Sequence, residues 1–141
     1  MTITLRLPPV FDYQRDALFG PERYGVVEGC TKVGKTFPGI VWLLETAGEN
    51  AGVGHKFWWV APTHQQAEIA YTRTRDMLRL SDREARWFDA RDHRKDIAIQ
   101  GVGILQFLTG EEPNNLYGDD VYGVVMDEFT WQREEAFTAV R

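Results

Sequence analysis

Residues Gly29, Cys30, Thr31, Lys32, Val33, Gly34, Lys35 and Thr36 match the pattern G-x-x-x-x-G-K-[ST] in full, and side chains of these types at this spacing suit the capture of a polyphosphate. Such a ligand carries several negative charges that must leave water. Its site therefore needs converging backbone N–H donors and a mobile cation. Gly29 and Gly34 let the backbone bend close to the phosphates. If a helix follows, its unpaired N–H groups and the positive end of its dipole face the anion. Lys35 is then placed to reach the β and γ phosphates, and the Thr36 hydroxyl to hold Mg²⁺. Lys32 either neutralises phosphate charge or faces solvent. Cys30 matters there through its backbone more than through its thiol.

A second group lies far downstream. Val124-Val-Met-Asp-Glu128 is an apolar run that ends in two carboxylates, as expected of a buried strand delivering acids at its carboxyl end. Taken alone, such a run is often only a strand end. Paired with the loop, it points to nucleoside-triphosphate hydrolysis rather than to a kinase or a passive binder. Asp127 would hold the Mg²⁺, directly or through its water shell, opposite Thr36. Glu128 would orient and polarise the water that attacks the γ phosphate. Upstream, Tyr13 and Gln14 offer an aromatic face for a base and an amide able to read an adenine edge, or else a surface amide beside a core aromatic. His55, His64 and His93 lack ligand spacing, so a histidine metal site is not expected.

The elements that must position these residues follow from apolar periodicity. Tyr24-Gly-Val-Val-Glu28 suits a buried strand before the loop, and Phe37 to Thr46 has helical spacing, with Pro38 tolerated in the first turn and Gly48 as a stop. Lys56-Phe-Trp-Trp-Val-Ala61 is a continuous apolar strand of the kind buried on both faces of a parallel sheet. Pro62 ends it. Thr63 with Gln66 forms a capping box for a helix over 64–80, whose inner face is Ala67, Ala70, Tyr71, Thr74, Met77 and Leu78. The charged stretch 81–95 gives no clear element, although Trp87 and Phe88 should pin it to the core. Residues 96–100 and 104–108 flank Gly101-Val-Gly103 as a hairpin. Turn chemistry fills 109–120, Val121 to Met126 is another buried strand, and Phe129 to Val140 begins a helix. Alternating strands and helices predict an α/β fold with a mainly parallel sheet.

At 141 residues and 43% hydrophobic composition the chain has material for one core, so one domain over 1–141 is expected. The single cysteine excludes an intramolecular disulfide. No apolar run has the length of a membrane span, and the amino terminus lacks the apolar core of a signal peptide. A formal charge of −5 does not advertise a dedicated nucleic-acid binder. Residues 73–95 nevertheless hold eight basic side chains against five acidic ones. They form either a solvated, ion-paired helix face or a patch facing DNA or another subunit.

With these residues identified, the chain resembles the amino-terminal ATPase region of bacteriophage terminase large subunits over about Phe11 to Phe137. Tyr13-Gln14 is similar to the family's adenine motif, Glu28 to Thr36 to its phosphate loop (Walker A), and Val60-Ala-Pro-Thr63 with Gln65 and Gln66 to its second strand-to-helix motif. Pro113-Asn-Asn-Leu-Tyr-Gly118 leading into Val124 to Glu128 (Walker B) is the most discriminating piece, since helicases share the first and third. The resemblance implies a RecA-like P-loop NTPase fold, a three-layer sandwich using ATP and Mg²⁺. It further implies a DNA-packaging motor that works as a homo-oligomeric ring in the host cytoplasm, with double-stranded DNA, a portal protein and a small terminase subunit as partners. Two departures stand out. The arginine common in the family's phosphate loop is replaced at Thr31, with Lys32 beside it. The coupling motif and nuclease domain that follow the acidic strand in the family have no counterpart before Arg141, so a partial ATPase domain, with weak or absent turnover of its own, is the expectation. A fragment of a helicase or restriction-type translocase, or an inert nucleotide-binding or interaction module, are the alternative readings.

Overall fold

The computed structural model describes residues 7, 9–28, 35–81, 86–111, 113–116 and 118–140. Its elements are α1 (Asp12–Leu18), α2 (Thr36–Glu49), β1 (Lys56–Ala61), α3 (His64–Ser81), β2 (Phe88–Arg91), β3 (Asp96–Ile99), β4 (Gly103–Thr109), β5 (Val121–Met126) and α4 (Glu134–Val140). Single 3₁₀ turns at Pro113–Leu116 and Phe129–Trp131 flank β5.

One five-stranded sheet runs in the order β2-β3-β4-β1-β5. The expected mainly parallel sheet is corrected to a mixed one. β1 pairs in parallel with β4 and β5, but β3 is antiparallel to both β2 and β4. The cause is connection length. Only a short turn separates β2 from β3, and Gly101, at a φ of 74° that suits glycine, turns the chain between β3 and β4. Such tight connections permit antiparallel neighbours alone, whereas parallel ones need a crossover such as α3.

A second correction concerns residues 24–28. The β-branched run there forms no strand, and Tyr24 and Val26 are 60% and 77% exposed. A strand exists only where its backbone finds a partner edge. Among the described residues this segment pairs with none.

Side chains alternate across β1, and that alternation builds three layers. Phe57, Trp59 and Ala61 face α2 and α3, within a core that includes Ile40, Leu43, Leu44, Tyr71, Leu78, Ile97, Leu105 and Phe107. Trp58 and Val60 face the opposite side, against Leu116 and Ala136, with Val124 and Met126 partly buried beside them. The inner face expected of the second helix is the buried face of α3, residue for residue, and Thr63 Oγ1 accepts the Gln66 N–H at 3.3 Å. β2 was missed because its Asp89 and Arg91 obscure a four-residue edge strand. Trp87 and Phe88 do pack against the main core. No helix among the described residues is long and apolar enough to cross a membrane.

α2 runs antiparallel to β5. Near its start, a Cβ on Gly39 would lie 3.2 Å from the Trp59 ring. Near its end, Thr46 Cγ2 approaches Gly123, where a Cβ would stand only 2.9 Å away. Gly123→Ala should therefore destabilise the fold by about 1–3 kcal/mol, read as a lower urea midpoint, and Thr46→Ala in the same chain should restore part of the loss. On the other flank of α3, Tyr71 donates its hydroxyl hydrogen to Asp92 at 2.6 Å. Burial, then that hydrogen bond and the charge of Asp92, push the Tyr71 phenol from 10.0 up to about 12, against an opposing pull from Arg75. A raised folded value means that this stability is fully present below pH 10 and is lost as pH rises from 10 toward 12. Urea midpoints measured across that interval should fall more steeply in the parent than in Tyr71→Phe.

Candidate functional site

The carboxyl ends of β1, β4 and β5 meet at one end of the sheet. Asp127 continues the ladder past β5, donating its N–H to the Val60 carbonyl at 2.9 Å, and Gly110 continues β4 by donating to Ala61 at 2.8 Å. The amino-terminal end of α2 arrives at this same end, because its first turn lies over Trp59 and Val125, late in both strands. Lys35 is the N-cap of α2 and Thr36 its first residue. Pro38 is buried in that first turn, where no backbone hydrogen bond is lost to it. The helix outlasts its expected stop at Gly48 by one residue.

Lys35 and Thr36 therefore lie at the same end of the sheet as Asp127 and Glu128. Burial, chiefly, and the adjacent Glu128 carboxylate push the Asp127 carboxyl above its ordinary value. The Glu128 N–H, donated to Asp127 Oδ1 at 3.0 Å, and the charges of Lys35 and Arg73 pull it back without cancelling the rise. Lys35 thus stands close enough for its charge to bear on Asp127. Asp127 is partly buried and Glu128 exposed, so one carboxylate is held in the protein and the other is offered outward. Glu128 has a φ of 47° and a ψ of 50°, the left-handed region that a residue with a side chain seldom adopts. It is maintained by the 3₁₀ turn that follows, in which Trp131 N–H bonds to the Glu128 carbonyl at 2.8 Å. Backbone strain of this kind is concentrated at functional sites.

A hard cation fits this arrangement. Asp127 and Glu128 offer neighbouring carboxylate oxygens, the donors a hard cation takes, and a cation beside Asp127 would offset the cost of its burial. No group of three or more His, Cys, Asp or Glu residues able to hold a metal occurs among the described residues. Magnesium needs less from the protein, one or two oxygens plus water and phosphate.

The remaining expected residues are placed as follows. Gly29, Cys30, Thr31, Lys32, Val33 and Gly34 lie outside the described residues. Tyr13 and Gln14 stand on α1, which is tied to α2 through Arg15 and Glu45 at 3.3 Å, in the half of that helix away from Lys35. Gln14 Oε1 accepts the Phe11 N–H at 3.1 Å, so part of the amide is engaged in closing the start of α1. Within the basic stretch, Arg75 pairs with Asp76 at 3.1 Å and Asp92 at 3.0 Å, Arg91 with Asp96 at 2.5 Å and Lys95 with Glu68 at 3.3 Å. These pairs favour the solvated, ion-paired face. Arg73 differs, since its charge reaches the acidic site from the middle of α3. Its position in a run of charges gave no sign of this.

Among solved structures, the large terminase ATPase domain of Thermus phage P74-26 is similar to this chain, with a TM-score of 0.62 and 17% sequence identity over 95% of this chain and 65% of that one. The chain thus spans just under two thirds of that domain's length. At this identity the likeness is one of fold: an α/β architecture like that of this terminase ATPase domain. No protein-family model and no curated protein matches the sequence.

The left-handed Glu128 yields a stability test. An L-residue in that region costs about 1–2 kcal/mol, and asparagine tolerates it best after glycine. Glu128→Asn should therefore be more stable than Glu128→Gln by about 1 kcal/mol in urea denaturation, although both remove the charge beside Asp127. Equal midpoints would mean that the turn stores no strain.

Proposed function

We propose that the chain is the ATP-hydrolysing motor domain of a phage terminase large subunit, part of the machine that drives DNA into a prohead. The observation that carries this reading is that Lys35 and Thr36, at the start of α2, and Asp127, just past β5, stand at the same carboxyl end of β1 and β5 although far apart in sequence. The phosphate-loop sequence, the acidic pair and the terminase-like fold support it together.

In this reading the triphosphate lies at the start of α2, with its β and γ phosphates against the Lys35 ammonium and the helix dipole behind. Thr36 and Asp127 would hold a magnesium ion, whose charge would offset that of the phosphate oxygens. Glu128, exposed on its turn, accepts a hydrogen bond from the attacking water and aims it in line with the bond to the leaving phosphate. Catalysis is then mostly positioning and charge stabilisation. Arg73 adds positive charge behind Asp127, and a further cation from a neighbouring subunit would be needed for rapid turnover. Tyr13 and Gln14 would receive the base. Double-stranded DNA, a portal protein, a small terminase subunit and a ring of like subunits are the partners this function requires.

A charge-assisted contact contributes about 1.5–3 kcal/mol, so Lys35→Ala should weaken Mg·ATP binding roughly 10–100-fold in titration calorimetry. Glu128→Gln should bind as tightly as the parent yet hydrolyse at least about 100-fold more slowly in the assembled motor. An unchanged affinity in Lys35→Ala would remove the nucleotide site, and equal turnover in Glu128→Gln would remove the water-orienting role. Stimulation of turnover by a procapsid portal separates a packaging motor from a strand-separating helicase.

A further inference from the structure

The turn that carries Asp127 and Glu128 is held by a side chain outside both motifs. Gln132 follows the 3₁₀ turn, and its Nε2 donates to the Val60 carbonyl at 2.7 Å and to the Asp127 carbonyl at 2.8 Å. The Val60 carbonyl also accepts the Asp127 N–H at 2.9 Å. Asp127 is thus gripped on both sides, by its own N–H against β1 and by its carbonyl against the Gln132 amide. The Asp127 carbonyl begins the peptide that carries the Glu128 N–H, which in turn bonds back to Asp127 Oδ1 at 3.0 Å. One amide group therefore joins the end of β1, the backbone on both sides of the Asp127 side chain and the strained Glu128.

The amide is specified by chemistry rather than by filling space. Two carbonyl acceptors demand a double donor, and among side chains that remain uncharged only asparagine and glutamine carry an NH₂ group. Turning the amide over would set its oxygen against two carbonyl oxygens. In the orientation found, Oε1 is buried and has no hydrogen-bond partner among the described residues. It lies 2.5 Å from where a Cβ on Gly110 would stand, so the glycine leaves the space that the amide occupies. A residue needed only for packing would avoid a buried, unpartnered oxygen. Here the oxygen is tolerated because both donor hydrogens are in use.

We propose that Gln132 is a positioning residue for the Asp127 carboxylate, fixing the peptide from which that side chain projects and thereby the metal-dependent part of nucleotide binding. The proposal rests on the nucleotide-site reading above and adds to it a residue that acts only through Asp127 and Glu128. The test compares binding of ATPγS in Mg²⁺ and in EDTA by the parent chain, Gln132→Met and Gln132→Glu. The first variant keeps the volume and removes the donor; the second keeps the shape and replaces a donor by an acceptor. Partners that orient a metal ligand typically contribute about 10–100-fold in affinity, so both variants should lose about tenfold or more of the tightening that Mg²⁺ confers while keeping the parent's affinity in EDTA. A residue with only a structural role would lower the melting temperature and both affinities together, which overturns the proposal, as does an intact Mg²⁺ effect in either variant. If the parent does not bind ATPγS at all, the nucleotide-site reading fails first and this inference with it. Should neither variant fold, hydrogen exchange in the parent decides: the Gln132 side-chain amide protons should be protected, and rapid exchange overturns the clamp.

Discussion

The hydrogen bond from the Asp127 N–H to the Val60 carbonyl carries the parallel pairing of β5 with β1 one residue beyond the sheet. β1 lies between β4 and β5, and its side chains enter both cores. An acid fastened to this strand inherits the rigidity of the best-packed element in the molecule. Gly110, Ala61 and Pro62 complete the same end, so the floor of the candidate site is backbone held by ladder bonds, while the Asp127 and Glu128 carboxylates project from the turn of chain beyond them. A site on strand ends can be placed more accurately than one on a free loop, and the open ends of neighbouring parallel strands leave room for a ligand.

Electrostatics at this end is deliberately unbalanced. The Glu128 charge adds to the cost of ionising the partly buried Asp127, and that burial outweighs the help Asp127 receives from Lys35, Arg73 and the Glu128 N–H. In a site whose only task was stability, such a pair would be neutralised by a close ion pair, as Asp96 is by Arg91 at 2.5 Å in the sheet. The left-handed Glu128 adds a backbone cost at the same point. Cost in charge and cost in conformation therefore fall on two consecutive residues, which is where sequence rules for stability are expected to give way to function.

Much of this was legible in the sequence wherever a physical period or a strong local signal existed. The face of α3 followed from helical spacing, β1 from an uninterrupted apolar run, the β3–β4 hairpin from its glycine turn, and the acidic strand from apolar residues ending in Asp-Glu. Mixed sheet direction was not legible because alternating strands and helices report crossovers, whereas the hairpin sets β3 antiparallel to both its neighbours. β2 escaped because an edge strand half in solvent carries charges, and Gln132 because an amide that bonds to two carbonyls leaves no pattern in sequence at all. Sequence periodicity reports burial. It does not report a hydrogen bond to a carbonyl seventy-two positions away in the chain.

Residues 24–28 show the limit of that logic most clearly. Their β-branched composition suits a buried strand, yet burial requires an edge to pair with, and the segment stays exposed while β5, at the end of the sheet order, leaves Val124, Val125 and Met126 only partly covered. Lys35 is consequently positioned from its helix side. Pro38, Gly39, Ile40 and Val41 are buried immediately after it, and the Gly39 N–H bonds to the Lys35 carbonyl at 3.1 Å, so the packing of the first turn of α2 on Trp59 fixes where the lysine's backbone begins. The same indole face thus supports the cation's helix on one side of the sheet while Val60, the next residue of β1, holds Asp127 by its carbonyl. Two successive residues of one strand set the distance between the positive and the negative half of the site, and a shift of β1 by a single residue would exchange their faces and part them.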